Sequence, residues 1–326
     1  MVYLGVGSRL IISLLKEAPV MAMAQVLLKQ LIIMFIYMAA GWGLAKTGLL
    51  TMEGSKSITN LLLYVILPCV IIRSFCTEAS SQLMITVLLS IAGAAAVLGT
   101  SMAVAHAVFK KSPMDDFGAA FSNAGFMGLP LVSAVLGSDA VIYAAGMVAL
   151  LNILQWTYGQ AVLSGDRHMM SAKKVLLNPL VIAFAIGLVI FFLGIDIPDI
   201  ISDCMSAISG MNGPIAMIVL GVYLAQLKAA EIFTDKNAWK CSVTRLLVIP
   251  AITALILCLL FPSRREMALA LLITACAPVG ANLAVYAQKL GMDNRHAVKT
   301  ICLSTILSVV SMPAVIIFWN LITGIM

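Results

Sequence analysis

Charged residues are the scarcest feature of this 326-residue chain. Asp, Glu, Lys and Arg together make up 10% of it, whereas a soluble domain has about 25%. So few charges cannot cover a surface that faces water on all sides. The hydrophobic content of 62% and the mean hydropathy of +1.08 are typical of an integral membrane protein.

The few charges leave long uncharged stretches, each close to the length of a membrane-spanning helix. About 20 apolar residues, with a range of roughly 17 to 25, cross a bilayer as a helix. The strands of a transmembrane barrel would instead alternate apolar and polar residues, so an all-α fold is expected. The sequence predicts ten transmembrane helices, at 30–45, 57–72, 79–109, 117–138, 140–165, 175–195, 204–227, 246–263, 267–288 and 300–326.

Groups that carry chemistry are missing from these stretches. No Asp or Glu lies in the interior of a predicted span, which argues against obligate proton or sodium coupling through an intramembrane carboxylate. The seven cysteines include no CxxC pair, and no HExxH or serine-nucleophile motif occurs. We therefore expect no enzyme, no metal site and no cofactor. The Asp115–Asp116 pair is expected at the entrance to the fourth span, and His296 in a basic loop.

Lys and Arg fall unevenly on the two sides of the predicted topology. The odd-numbered loops contain thirteen of the twenty basic residues, and the opposite side contains six. Because cytoplasmic loops are enriched in Lys and Arg, we expect the odd loops in the cytoplasm and both termini outside the plasma (inner) membrane. The net charge of +6 then reflects topology and does not indicate a nucleic-acid partner.

The polar stretch GDRHMMSAKK divides the chain near its midpoint, with five predicted spans on each side. An odd number of spans per half inserts the two halves in opposite orientations, as in many transporters. Pro214 follows Pro68 by 146 residues, and Pro278 follows Pro130 by 148. We expect an N-terminal segment of unassigned role (1–23), a five-helix repeat (24–164), a cytoplasmic loop (165–174) and a second, inverted repeat (175–326).

Two spans contain residues that helices tolerate poorly. The fourth includes FSNAGFMGLPLVSAVLG (121–137), and the ninth includes LLITACAPVGANLAVYAQKLG (271–291). Pro lacks an amide proton and clashes with the preceding turn, and Gly accepts the resulting backbone, so both helices are expected to break near the membrane midplane. Bare peptide groups cannot face lipid, and half-helix N-termini attract anions. The alternative is a kink or close-packing point without a ligand.

Five stretches spread over the chain carry a family resemblance: SITNLLLYVILPCVIIRSF (57–75), FSNAGFMGLPL (121–131), LNILQWTYG (151–159), NPLVIAFAIGLVIF (178–191) and CAPVGANLAVYAQKLG (276–291). Together they resemble the auxin efflux carrier family, in particular its short bacterial members known as malate permeases or malonate transporters. The resemblance implies ten helices in two inverted repeats, with helices four and nine broken at prolines and crossing at the substrate site. It also makes a homodimer possible. The implied substrate-binding residues are Asn123, Gly125, Gly128, Pro130, Asn152, Gln155, Pro278, Gly280 and Asn282.

These observations predict a secondary transporter for small organic anions such as malate, malonate or auxin-like acids. Asn123 and Asn282 would donate hydrogen bonds to a carboxylate, or would instead cap a half-helix or join two helices. No Lys or Arg is expected at the breaks. The inside-negative membrane potential would then drive export. The alternative is a sodium- or proton-coupled carboxylate importer of the same fold, like that of the related bile acid:sodium symporters.

Overall fold

The computed structural model describes residues 4–165, 173 and 176–325, and the predicted connecting loop at 165–174 lies mostly outside them. Within these residues the regular elements are helices, joined by one isolated antiparallel bridge. The all-α prediction is confirmed. The helices are α1 (Leu4–Lys46), α2 (Met52–Ser74), α3 (Ser81–Phe109), α4 (Pro113–Ala120), α5 (Ala124–Leu136), α6 (Ser138–Ser164), α7 (Pro179–Leu193), α8 (Asp199–Leu224), α9 (Ala229–Thr234), α10 (Lys236–Leu260), α11 (Arg265–Ala275), α12 (Asn282–Lys289) and α13 (Asn294–Ile325).

Seven helices in the described part of the chain are long and apolar enough to cross a membrane: α1, from Ala22, with α2, α3, α6, α8, α10 and α13. The chain is thus a multi-pass membrane protein. The predicted fourth span is divided into α4 and α5, the predicted ninth into α11 and α12, and the predicted sixth is the shorter helix α7. The count of ten spans and the inverted repeat therefore stay predictions. Helix α1 begins at Leu4, so the predicted N-terminal segment continues into the first span as helix.

Local sequence explains where several helices begin and end. The side chains of Thr51 and Ser80 accept a backbone N–H in the first turns of α2 and α3, at 3.0 and 3.1 Å. Asn178 caps α7 in the same way, and Pro179 follows at the first helical position, where no amide proton is needed. Gly194 ends α7 with a left-handed backbone, φ +61°, which glycine adopts without steric cost.

Three of the prolines that lie inside helices share one local structure. Each follows a five-residue π-helical stretch by two positions: Leu62–Ile66 precedes Pro68, Ala124–Gly128 precedes Pro130, and Thr244–Val248 precedes Pro250. Proline removes one amide hydrogen bond and clashes with the preceding turn. A wider π turn gives the ring room and shifts the backbone hydrogen bonds by one residue. The prolines of α2, α5 and α10 are absorbed in this way.

Helices α1 and α8 pack with their backbones in contact through two glycines. A Cβ added to Gly41 would lie 2.1 Å from the carbonyl oxygen of Ile218, and one added to Gly221 would lie 2.1 Å from that of Met38. Small residues allow this approach in membranes, where packing replaces the hydrophobic effect as the main force between helices. Gly43, half a turn further along α1, has no neighbouring atom within 4 Å of its own added Cβ.

This contrast predicts opposite effects of one substitution at two positions of α1. Gly41→Ala should lower the free energy of unfolding by about 1–3 kcal/mol, because the methyl group overlaps the backbone of α8. Gly43→Ala should raise it by roughly 0.5–1 kcal/mol, because alanine favours the helix and meets nothing. Thermal unfolding of the detergent-solubilised variants measures both changes. Equal melting temperatures for the two variants would contradict the described packing of α1 and α8.

Candidate functional site

The gaps between α4 and α5 and between α11 and α12 meet and form hydrogen bonds with each other. Ser122 and Val279 form the isolated antiparallel bridge. The backbone N–H of Asn123 donates to the carbonyl oxygen of Pro278 at 2.7 Å, and that of Gly280 donates to Phe121 at 3.0 Å. Peptide groups exposed by one break are therefore satisfied by the other. We call this meeting point, residues 121–123 and 276–281, the crossing.

Three hydrogen bonds made by side chains secure the crossing. Ser122 Oγ donates to the carbonyl oxygen of Thr274 at 2.9 Å, and the Val279 N–H donates to Ser304 Oγ of α13 at 3.1 Å. Asn212 Nδ2 of α8 donates to the carbonyl oxygen of Gly125 at 2.9 Å. A Cβ added to Gly280 would lie 3.2 Å from the Ser122 carbonyl oxygen, a tight contact, so glycine at residue 280 favours the close approach of the two chain segments.

The break predicted within residues 121–137 is present, but it is not at Pro130, where the family resemblance places it. The interruption lies at Phe121–Asn123, whereas Gly125, Gly128 and Pro130 lie within helix α5. The π turn that ends at Gly128 accommodates Pro130, so this proline bends the helix path without ending it. In the ninth predicted span the prediction is confirmed, because Pro278 and Gly280 lie in the gap between α11 and α12.

Arg245 overturns the expectation that no cation lies at the breaks. Its side chain, 1% exposed, extends from the π turn of α10 to the crossing. One guanidinium nitrogen donates to the carbonyl oxygens of Ala119 and Ala120 at 2.9 and 3.2 Å, and another donates to that of Ala275. Arg245 thus binds the last turns of both α4 and α11. The sequence signal was a lone arginine beside a long apolar run, but its distant partners could not be read from the chain.

A small pocket of about 20 Å³ lies at the crossing. That volume accommodates roughly one water molecule. Five of the predicted site residues line it, and the N-terminal ends of α5 and α12 form part of its wall. These five are Asn123, Gly125, Asn152, Gly280 and Asn282, with Ser122 alongside.

Two buried amide groups have no hydrogen-bond partner among the described residues: one lines this pocket, and the other belongs to a side chain that is hydrogen-bonded to the pocket residue Asn282. They are Asn123 Nδ2 and Gln155 Nε2, on side chains that are 4% and 1% exposed. Gln155 is held in place because its Oε1 accepts a hydrogen bond from Asn282 Nδ2 at 2.9 Å. An unpaired buried donor costs about 1–3 kcal/mol. Donors left unpaired at such a cost are suited to a ligand that accepts hydrogen bonds.

A larger cavity of about 470 Å³ adjoins the crossing. It shares Asn152 and Asn282 with the small pocket and extends to Lys56 near the start of α2. Its wall combines amide side chains with aromatic rings, two of which, Trp156 and Tyr286, meet edge to face at 5.5 Å. Its size lies within the range of about 300–1,000 Å³ seen for small-molecule sites. The remaining lining residues include Thr59, Asn60, Leu63, Tyr64, Asn178, Pro179, Leu180, Tyr223, Val285 and Gln288.

The other predicted site residues contribute through the backbone. A Cβ on Gly128 would lie 3.2 Å from the Cα of Thr274, so this glycine allows α5 and α11 to pack closely. Pro130 lies beside Gly213 of α8. Pro278 provides the carbonyl oxygen that receives the Asn123 N–H. Ser122, Asn212 and Arg245 take part in the crossing and were not predicted.

A second polar cluster joins the starts of α4, α10 and α13. His296 Nδ1 donates to Asp235 at 2.8 Å, and its Nε2 donates to Asp115 at 2.9 Å. Both carboxylates only accept, so both ring nitrogens donate and the ring is positively charged. Partial burial raises the pKa of Asp235. Hydrogen bonds from His296 and from the Ala238 backbone lower this pKa by more than burial raises it, so the pKa lies below its usual value.

One expectation is corrected here. His296 lies in the first turn of α13, with 14% of its side chain exposed, and is not in a basic loop. Asp115 and Asp116 lie in the first turn of α4, as expected for the start of the fourth span, and each is 2% exposed. Asp116 binds Nδ1 of His106 at 2.9 Å. The sequence separates these groups by up to 181 positions, so their pairing could not be predicted from it.

The comparison with known proteins bears on this arrangement. A family model described as "Membrane transport protein" matches residues 26–173 and 166–316, well over half of the chain. The chain belongs to this family, the auxin efflux carriers. The family resemblance read from the sequence is therefore confirmed, and the chain is a transporter.

One curated relative of this chain comes from Methanothermobacter thermautotrophicus and is described as an uncharacterized transporter. It is 26% identical over 285 residues, which cover 84% of this chain and 92% of the relative. Both comparisons indicate transport, and neither names a substrate.

The His296 cluster yields a prediction with a matched control at the neighbouring position. His296→Ala should lower stability by about 3 kcal/mol or more, because it leaves the buried Asp115 and the capping Asp235 without their shared cation. Arg295→Ala removes an ion pair with Glu231 in which the arginine side chain is 63% exposed, and it should have little effect. Melting temperatures in detergent test both. Comparable losses in the two variants would contradict the structural role of His296.

Proposed function

We propose that this carrier is a secondary transporter that moves small organic anions, carboxylates such as malate, malonate or auxin-like acids, across the plasma membrane. The observation that carries the proposal is the pair of buried, unpartnered donors, Asn123 Nδ2 and Gln155 Nε2, beside the crossing. An ionised carboxylate only accepts hydrogen bonds, so it complements donors and repels acceptors. Hydrogen bonds to a charged group contribute about 1.5–3 kcal/mol each.

The helix ends at the crossing also favour a negatively charged ligand. The N-terminal ends of α5 and α12 border the small pocket, and a helix N-terminus carries a partial positive charge of about half a unit. Lys56 also lines the larger cavity and adds a full positive charge there. The aromatic rings in the same wall offer an apolar surface to the carbon skeleton of the anion. Together these features favour a small acid with an organic body over an inorganic ion.

Alternating access is the mechanism that we propose. Ten spans in two inverted repeats would rock around the crossing, which stays fixed while the cavities on either side open in turn. By the distribution of Lys and Arg, Lys56 belongs to the cytoplasmic side, so the cavity of about 470 Å³ would be the inward-facing one. Both termini would lie outside, and two copies could associate as a homodimer. Substrate would enter past Lys56 and reach Asn282 and Asn123.

Removing either unpartnered donor should weaken transport. Asn123→Ala and Gln155→Ala are each expected to raise the KM for carboxylate flux by about tenfold or more, since 1.4 kcal/mol corresponds to a factor of ten. Flux of labelled malate, malonate and an aromatic acid into proteoliposomes measures the change. Asn320→Ala is the matched control, because this asparagine bonds only to its own helix, to Ile316 at 2.9 Å. Unchanged KM in both site variants would remove the assignment of the site.

Transport should depend on membrane voltage without a coupled ion. An inside-negative potential is worth about 2.3 kcal/mol per charge per 100 mV, which favours export of an anion. Proteoliposomes with an imposed potassium diffusion potential should therefore accumulate the anion on the positive side, to roughly fifty-fold for one net charge at 100 mV. Flux that does not change with the imposed potential, or that requires a sodium or proton gradient, would favour the coupled importer instead.

A further inference from the structure

The C-terminal ends of α4 and α11 bring backbone carbonyl groups together at the crossing. A helix C-terminus carries a partial negative charge of about half a unit. In transporters with broken helices, such ends and unwound carbonyl groups are where coupling cations bind. Two helix ends therefore create a site of about one negative charge inside the protein. A positive charge has to occupy it if the crossing is to hold an anion nearby.

Arg245 occupies this place with its own charge. Its guanidinium donates to Ala119 and Ala120 at the end of α4 and to Ala275 at the end of α11. An arginine side chain stays protonated under all physiological conditions. The three carbonyl oxygens are thus engaged by a cation that is covalently part of α10.

Arg245 has no ion-pair partner among the described residues, although it is only 1% exposed. Burying a cation away from water without a compensating charge is costly. The two helix ends are therefore its counter-charge, and each compensates for the cost of burying the other.

We propose that Arg245 is a built-in counter-cation that takes the place of a bound metal cation at the crossing. The inference rests on the proposed anion transport and deepens it, since it names the group that neutralises the negative helix ends during transport. With Arg245 in place, the negative helix ends are neutralised and the positive ends of α5 and α12 act on the substrate alone. No cation then has to bind or move with the anion. Arg245 is a positioning residue, because it acts on the substrate through the two helix pairs.

The first test measures cation binding by a readout that does not depend on transport. The melting temperature of detergent-solubilised wild-type protein should be the same in sodium chloride and in choline chloride. Arg245→Gln should melt lower in choline, and sodium should raise its melting temperature by several degrees, because the vacated carbonyl groups can then bind the ion. Arg245→Lys keeps the positive charge and should again be indifferent to sodium. Na⁺ itself is the probe.

The second test measures flux in the same salts. Wild-type carboxylate flux should be equal in sodium and choline, and Arg245→Gln should lose at least tenfold in choline and regain at least threefold in sodium. A sodium requirement in the wild type would overturn the proposal, as would an Arg245→Gln variant that unfolds equally in both salts. Absence of any carboxylate flux in the wild type would refute the proposed substrate, while the melting temperatures would still decide the role of Arg245.

Discussion

A chain that leaves its helix inside the hydrocarbon layer has to satisfy its freed peptide groups within the protein, because lipid offers no hydrogen bonds. The crossing meets this constraint by pairing two interruptions with each other. The Asn123 N–H binds the Pro278 carbonyl group and the Gly280 N–H binds the Phe121 carbonyl group. Other backbone groups at or next to the two interruptions form hydrogen bonds with the side chains of Ser304, Asn212 and Arg245. The packing of α8, α10 and α13 around the two broken helices follows from this requirement.

The same arrangement separates the negative and the positive helix ends at the crossing. Helices α4 and α11 end at the crossing and meet a guanidinium, whereas α5 and α12 begin there and border a pocket with unpartnered amide donors. A symmetric crossing without Arg245 would present both signs of helix end to a ligand. Covering one sign with an arginine leaves the positive ends exposed to a ligand. In the proposed transport, this division of charge would be the physical basis for selecting an anion.

Composition and the lengths of the uncharged runs were enough to predict a helical membrane protein, because the thickness of the hydrocarbon layer sets the length of each span. The break at Pro278 and Gly280 was also predictable, since both residues favour leaving the helix locally. The break at Phe121–Asn123 was not, because it depends on pairing with a distant part of the chain: Ser122 and Val279, which form the bridge, are 157 positions apart. Pro130 misled the prediction because a π turn accommodates it. Arg245 and His296 find their partners through tertiary packing, which no local pattern encodes.

The central claim is that a carboxylate binds at the crossing, within reach of Asn123 and Gln155. A structure determined with a bromine-substituted carboxylate, located by anomalous scattering or in cryo-EM density, tests it most directly. The account predicts the carboxylate oxygens within hydrogen-bond distance of Asn123 Nδ2 and Gln155 Nε2, with the carbon skeleton directed toward Trp156 and Tyr286. An anion found only in the separate polar pocket beside Arg264 and Arg265 would contradict it.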